Sequence, residues 1–91
     1  MYSVNKHFFM AYNALMMKKR SVKIGRHATS ISLEEPFWAA LKELADEQDK
    51  ALNQLIAEID AGRSGANLSS ALRLYVLEAL KRKISDPAAR P

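Results

Sequence analysis

The segment ATSISL, residues 28–33, most constrains how this 91-residue chain can fold. Larger residues alternate there with small ones, and a period of two is typical of a strand with two unlike faces. It is the only convincing strand in the sequence. Because one strand cannot satisfy its own backbone N–H and C=O groups, we expect it to pair with another chain or with itself across a two-fold axis.

The residues after this strand predict a first helix. It begins near residue 34, because Pro36 suits a first helical turn and Ser32 precedes Glu35 by three positions, the spacing of a capping box. Apolar residues then follow a core-facing stripe. The helix is expected to end around residues 48–49.

Two further helices are predicted from the same kind of spacing. One runs from about Leu52 to residues 61–62. The other, capped by Asn67 or Ser69, runs to about Lys83. The predicted fold class is therefore mainly α with one short strand, in the order β-α-α plus a third helix.

The charge is distributed unevenly along the chain. Residues 1–27 contain six Lys or Arg and no acid, residues 34–60 contain two against eight acids, and residues 61–91 contain six against two. A basic segment in front of an acidic one indicates contact with a polyanion from one end of the molecule. The plain alternative is a solvated basic tail without a partner.

Catalytic and metal chemistry find little support in the composition. There is no cysteine, and the two histidines, His7 and His27, lie twenty positions apart. We therefore predict no enzyme, no catalytic residue, no metal site and no cofactor. The apolar run at residues 8–17 is too short to span a bilayer and precedes its basic residues, the reverse of a secretory signal, so a cytoplasmic protein is expected.

Three segments are expected along the chain. Residues 1–20 form a basic, amphipathic arm that is either disordered or dispensable, since Met16 and Met17 offer alternative starts. Residues 21–84 form the folded domain, and residues 85–91 form a frayed tail.

The run RSVKIGRHATSISLEEPFWAALKELADEQDKALNQLIAEID, followed by NLSSALRLYVLEAL, resembles the ribbon-helix-helix superfamily of the Arc and methionine repressors, and most closely short bacterial ribbon-helix-helix domain proteins. The resemblance covers about residues 20–81. It implies an intertwined homodimer whose strands form an antiparallel ribbon over a shared helical core. The core residues that it implies are Ile31, Leu33, Trp38, Leu41, Leu44, Leu55, Ile56 and Ile59.

The resemblance also implies a DNA interface. The outward face of the ribbon would enter the major groove, basic residues around it would contact phosphates, and backbone N–H groups at the start of the second helix would bind another phosphate. These positions are Ala28, Ser30 and Ser32, with Arg26, on the ribbon; Lys18, Lys19, Arg20 and Lys23 before it; and Ala51, Leu52 and Asn53 at the helix.

Two departures from the DNA-binding pattern stand out. The Gly-x-Ser turn common before the second helix is replaced by Asp49-Lys50-Ala51, and Ala28 offers no hydrogen bond to a base. The leading hypothesis is a DNA-binding transcriptional regulator, a homodimer or a higher assembly on DNA, without a small-molecule substrate. The alternatives are a protein-interaction module, of which an antitoxin is a variant, and a membrane-surface protein held by residues 8–20.

Overall fold

The computed structural model describes residues 17–65 and 67–85. Within them, two antiparallel strands precede three helices, which confirms the mainly helical ribbon-helix-helix architecture. The predictions for residues 1–16 and 86–91 lie outside the described residues. The elements are β1 (Met17–Ile24), β2 (His27–Glu34), α1 (Glu35–Glu47), α2 (Leu52–Gly62) and α3 (Leu68–Ser85).

The prediction that the strand has no mate in its own chain is wrong. β2 pairs with β1 in a hairpin whose register runs from Ile24 opposite His27 to Met17 opposite Glu34. A two-residue turn closes it, and Gly25 takes the positive φ of 61° at the first turn position, as a type II′ turn requires. The ribbon therefore belongs to one chain, and pairing with a second copy is not needed to satisfy the facing edges of these strands.

The inner face of the hairpin packs against the helices. Its buried side chains are Val22, Ile31 and Leu33, and period-two alternation brings them to one side. The residues predicted to form the core lie in the core of this chain, where all are buried except Ile59, which is half-buried. That a second copy shares this core stays a prediction. The rest of the buried core consists of Trp38, Leu41, Leu44, Ala45, Leu55, Ile56, Leu72, Val76 and Ala79.

The helix ends follow the sequence signals in part. Pro36 lies in the first turn of α1, as predicted, but the capping box does not form, because Ser32 is still within β2. At the start of α3, the side-chain oxygen of Asn67 accepts the backbone N–H of Ser70 at 2.8 Å. Ser69 instead donates its hydroxyl to the Ser32 carbonyl at 3.0 Å, which ties α3 to the hairpin.

The three helices are all shorter or more polar than a bilayer-crossing segment. Among the residues described, none forms a helix that is long and apolar enough to cross a membrane.

Candidate nucleic-acid interface

The outer face of the hairpin is a basic and hydroxyl-rich surface. The register and the strand period place alternate residues of both strands on the side away from the core, and these residues are exposed. We define the outer face as Lys19, Ser21 and Lys23 on β1 together with Ala28, Ser30 and Ser32 on β2. The structure thus brings together predicted contact residues from two separate sequence segments, and it adds Ser21, which the sequence analysis missed.

Two of the predicted phosphate contacts lie on the opposite side of β1. The Lys18 ammonium lies 3.4 Å from the Glu35 carboxylate. The Arg20 guanidinium lies over the Trp38 ring, with its central carbon 5.3 Å from the ring centroid, within the range of a cation–π interaction. Trp38 also donates its indole N–H to the Lys18 carbonyl at 3.0 Å. These cations therefore fasten β1 to α1.

The acid at the base of the outer face is neutralised by α3. The Glu34 carboxylate accepts two hydrogen bonds from the Arg73 guanidinium, at 2.9 and 3.1 Å. The hydrogen bond to Arg73 holds the pKa of Glu34 below its usual value, against the opposing effect of desolvation. Because Arg73 offsets the charge of Glu34, this acid weakens the positive charge of the neighbouring outer face less than a free carboxylate would.

The tip of the hairpin carries a third cation. Arg26 follows Gly25 in the turn and is exposed. His27, the first residue of β2, is exposed beside it. Lys23 on the outer face and Arg26 at the tip extend the basic surface to the end of the ribbon.

The start of α2 has mixed properties for an anion. Ala51 is the N-cap and has no side chain that accepts a hydrogen bond. The backbone N–H groups of Leu52 and Asn53, in the first turn, therefore have no side-chain cap. Asp49 sits just before it with φ of 59°. The Lys50 ammonium is engaged by the Glu58 carboxylate at 2.6 Å. The predicted phosphate contact at Ala51, Leu52 and Asn53 remains a proposal.

The helical side of the molecule presents an apolar surface instead. We define the α3 stripe as Leu74, Leu77, Leu80 and Ile84, which are between 46% and 66% exposed. Beside it, α2 and α3 border a groove of about 540 Å³ whose apolar lining includes Leu55 and Tyr75. No described residue of the hairpin lines this groove, so it is separate from the outer face.

The comparisons with known proteins define the class. The sequence matches the ribbon-helix-helix domain family over residues 17–80. The chain therefore belongs to that family, and the match includes the whole of β1, half of which the sequence analysis left in the arm.

A solved structure is also similar, that of an uncharacterized protein from Bordetella pertussis Tohama I. It shares 27% sequence identity and has a TM-score of 0.63, and the match covers 97% of this chain and 81% of that one. No curated protein matches the chain. Family and fold are thus established together, by sequence and by structure.

Proposed function

We propose that this protein binds double-stranded DNA with the outer face of its hairpin and regulates transcription, without a catalytic step. The observation that supports this most is the outer face itself. It projects two lysines and three serines from a two-stranded ribbon, and such a ribbon fits the major groove of B-DNA. Lys19 and Lys23 lie about 13 Å apart along the strand, at about 3.3 Å a residue, so they can reach different phosphates.

The cations of the hairpin lie on two faces, and this indicates which of them contact DNA phosphates. Lys19 and Lys23 supply the phosphate contacts of each hairpin, because Lys18 and Arg20 are engaged by α1. Binding should therefore depend strongly on salt. Two phosphates per hairpin give a slope of log K against log salt of roughly −2 for one chain, and roughly −4 for two chains on one duplex.

Fluorescence anisotropy with duplex DNA over a salt series measures this slope. Lys19→Ala and Lys23→Ala should each weaken binding and make the slope shallower by about 1. Lys42→Ala, which removes the same charge from an exposed position on α1, is the matched control and should leave both unchanged. Failure of the wild-type protein to bind any duplex at low salt would refute the proposal.

We further propose that the functional unit is a homodimer formed through the α3 stripe. Because a core forms within one chain, we expect a second copy to use another surface, and four of the five exposed large apolar side chains of the described residues belong to this stripe. In a two-fold antiparallel pair, the same edge of the stripe meets itself. Glu78 and Lys81 of α3 pair with each other at 3.8 Å within one chain, and we expect them to exchange partners across the two-fold axis.

Sedimentation over a concentration series tests the dimer. A stripe of four side chains is smaller than the about 800 Å² per partner of a standard interface, so we expect weak association that DNA strengthens. Leu77→Lys should give a monomer with unchanged thermal stability, whereas Lys42→Glu should still dimerise. A wild-type protein that stays monomeric both at high concentration and on DNA would refute this part and leave DNA binding by single hairpins.

A further inference from the structure

The outer face contains little that distinguishes one base pair from another. Serine hydroxyls both donate and accept, so Ser21, Ser30 and Ser32 can pair with either kind of group, and Ala28 makes no hydrogen bond. Lysine is a flexible point charge that suits phosphates. A ribbon with these side chains positions itself on DNA but selects sequence weakly.

Guanidinium groups are the side chains best suited to bidentate contact with a base edge. Two of those near the hairpin are already engaged within the chain. Arg20 lies over Trp38, and Arg73 holds the Glu34 carboxylate with two hydrogen bonds. Releasing either one for DNA would break a contact that fastens the hairpin to the helices.

Arg26 differs from both. It is exposed at the turn, and among the described residues it makes no ion pair, hydrogen bond or aromatic contact. The type II′ turn at Gly25 fixes the backbone at this position. The guanidinium of Arg26 therefore extends from a backbone of defined conformation. Arg26 is thus the guanidinium of the ribbon that remains available.

We propose that Arg26 determines sequence specificity by reading a single guanine per hairpin, while the outer face holds the phosphates. The inference rests on the proposed DNA binding. Guanine presents two acceptors, O6 and N7, on its major-groove edge, and these match the two parallel donors of a guanidinium. The protein should therefore select sites with one strongly preferred G·C pair per hairpin and little preference elsewhere.

Selection from a randomised duplex pool tests this directly. Wild-type protein should enrich a guanine at one position per half-site, and Arg26→Ala should lose that preference while still binding at low salt. Lys23→Ala is the matched control, since it removes the same charge from the neighbouring part of the ribbon and should retain the preference. Circular dichroism checks that each variant is folded.

A base analogue then isolates the contact. Replacing the selected guanine by 7-deazaguanine removes the N7 acceptor, and this should weaken wild-type binding within the range of about 5- to 150-fold expected for a good bidentate pair. Arg26→Ala should bind both duplexes equally, because the group that senses N7 is gone.

Three results would overturn the inference, and they differ in what they leave standing. Arg26→Ala with the wild-type preference would assign specificity to another residue. Enrichment of A·T-rich sites without guanine would indicate minor-groove reading. Both leave DNA binding intact, whereas no binding to any duplex at low salt would also remove the proposed function.

Discussion

At the scale of single residues, the basic side chains of β1 lie on one or the other face of the hairpin according to whether their positions are odd or even. Odd-numbered Lys19 and Lys23 point away from the core, while even-numbered Lys18 and Arg20 face α1 and have partners there. The sequence shows one basic cluster, and the strand period divides it into an outward-facing set and a set that contacts α1. We therefore expect two cations that are close in the sequence to have different effects when they are replaced.

Arg20→Ala and Lys23→Ala should separate these two roles. Arg20→Ala should lower the free energy of unfolding by about 0.5–1 kcal/mol, the value of an exposed cation–π contact, with little effect on DNA affinity. Lys23→Ala should weaken DNA binding with little effect on stability. Urea unfolding followed by Trp38 fluorescence and DNA anisotropy measure the two quantities. The reverse pattern would show that Arg20 leaves Trp38 to bind DNA.

The Glu34–Arg73 pair predicts a pH dependence of stability. Since the pKa of Glu34 is lower in the folded chain than in the unfolded one, the pair stabilises the fold at neutral pH, and this contribution is lost as pH falls from about 5 through the folded pKa. Glu34→Gln should be less stable than wild type at pH 7 and lose less stability on acidification. Glu43→Gln, at an exposed position on α1, should follow the wild-type curve in a urea series across pH. If the stability of Glu34→Gln also followed the wild-type dependence on pH, the Glu34–Arg73 pair would not contribute to stability.

At the scale of elements, the helices were predictable and β1 was not. α1, α2 and α3 begin and end within about two residues of the positions expected from spacing and caps, because a repeated apolar stripe is a strong local signal. β1 lacks such a signal. Two of its inward positions are Lys18 and Arg20, which are not buried but contact side chains of α1. The alternation of apolar and polar residues that indicates a strand is therefore absent from β1.

The outer face was predicted only in its β2 half and its lysines. The indication that was overlooked is Gly25, since a two-residue turn with glycine first is a common way to close a hairpin. The Glu34–Arg73 pair joins residues 39 positions apart, and such a contact follows from how α3 packs rather than from any local pattern. For the α3 stripe, the sequence indicated only that the third helix has apolar residues on more than one face.

Gly25→Ala tests the turn as the element that closes the ribbon. The added methyl group meets nothing within 4 Å, so the penalty comes from the φ of 61° alone, and we expect a loss of about 1 kcal/mol. Gly62→Ala, at the end of α2, has equal space and no positive φ and should be neutral or slightly stabilising. Thermal unfolding compares them. Equal melting temperatures would show that the turn tolerates a side chain.

At the scale of the whole molecule, the core closes within one polypeptide. Large apolar side chains from both the hairpin and the helices are buried together without help from a partner. The residues expected to interlock with a second copy are buried within the subunit itself. We therefore expect association to be separate from folding.

Dilution tests this separation. Far-ultraviolet circular dichroism and Trp38 fluorescence should stay native from micromolar to nanomolar protein, because folding does not depend on subunit concentration. An intertwined dimer would unfold over the same range as its subunits part. Loss of the native signal on dilution would contradict the closed core, and Leu77→Lys, which should be monomeric throughout, provides the reference.

The intrachain hairpin has a kinetic consequence. Its strands are joined by two residues, so the ribbon forms by a short-range, first-order event that needs no encounter between molecules. A newly made chain therefore has its outer face as soon as it is folded, even when a cell holds only a few copies. Under the proposed function, pairing of subunits would then adjust how long the protein stays on DNA, and would not decide whether the outer face exists.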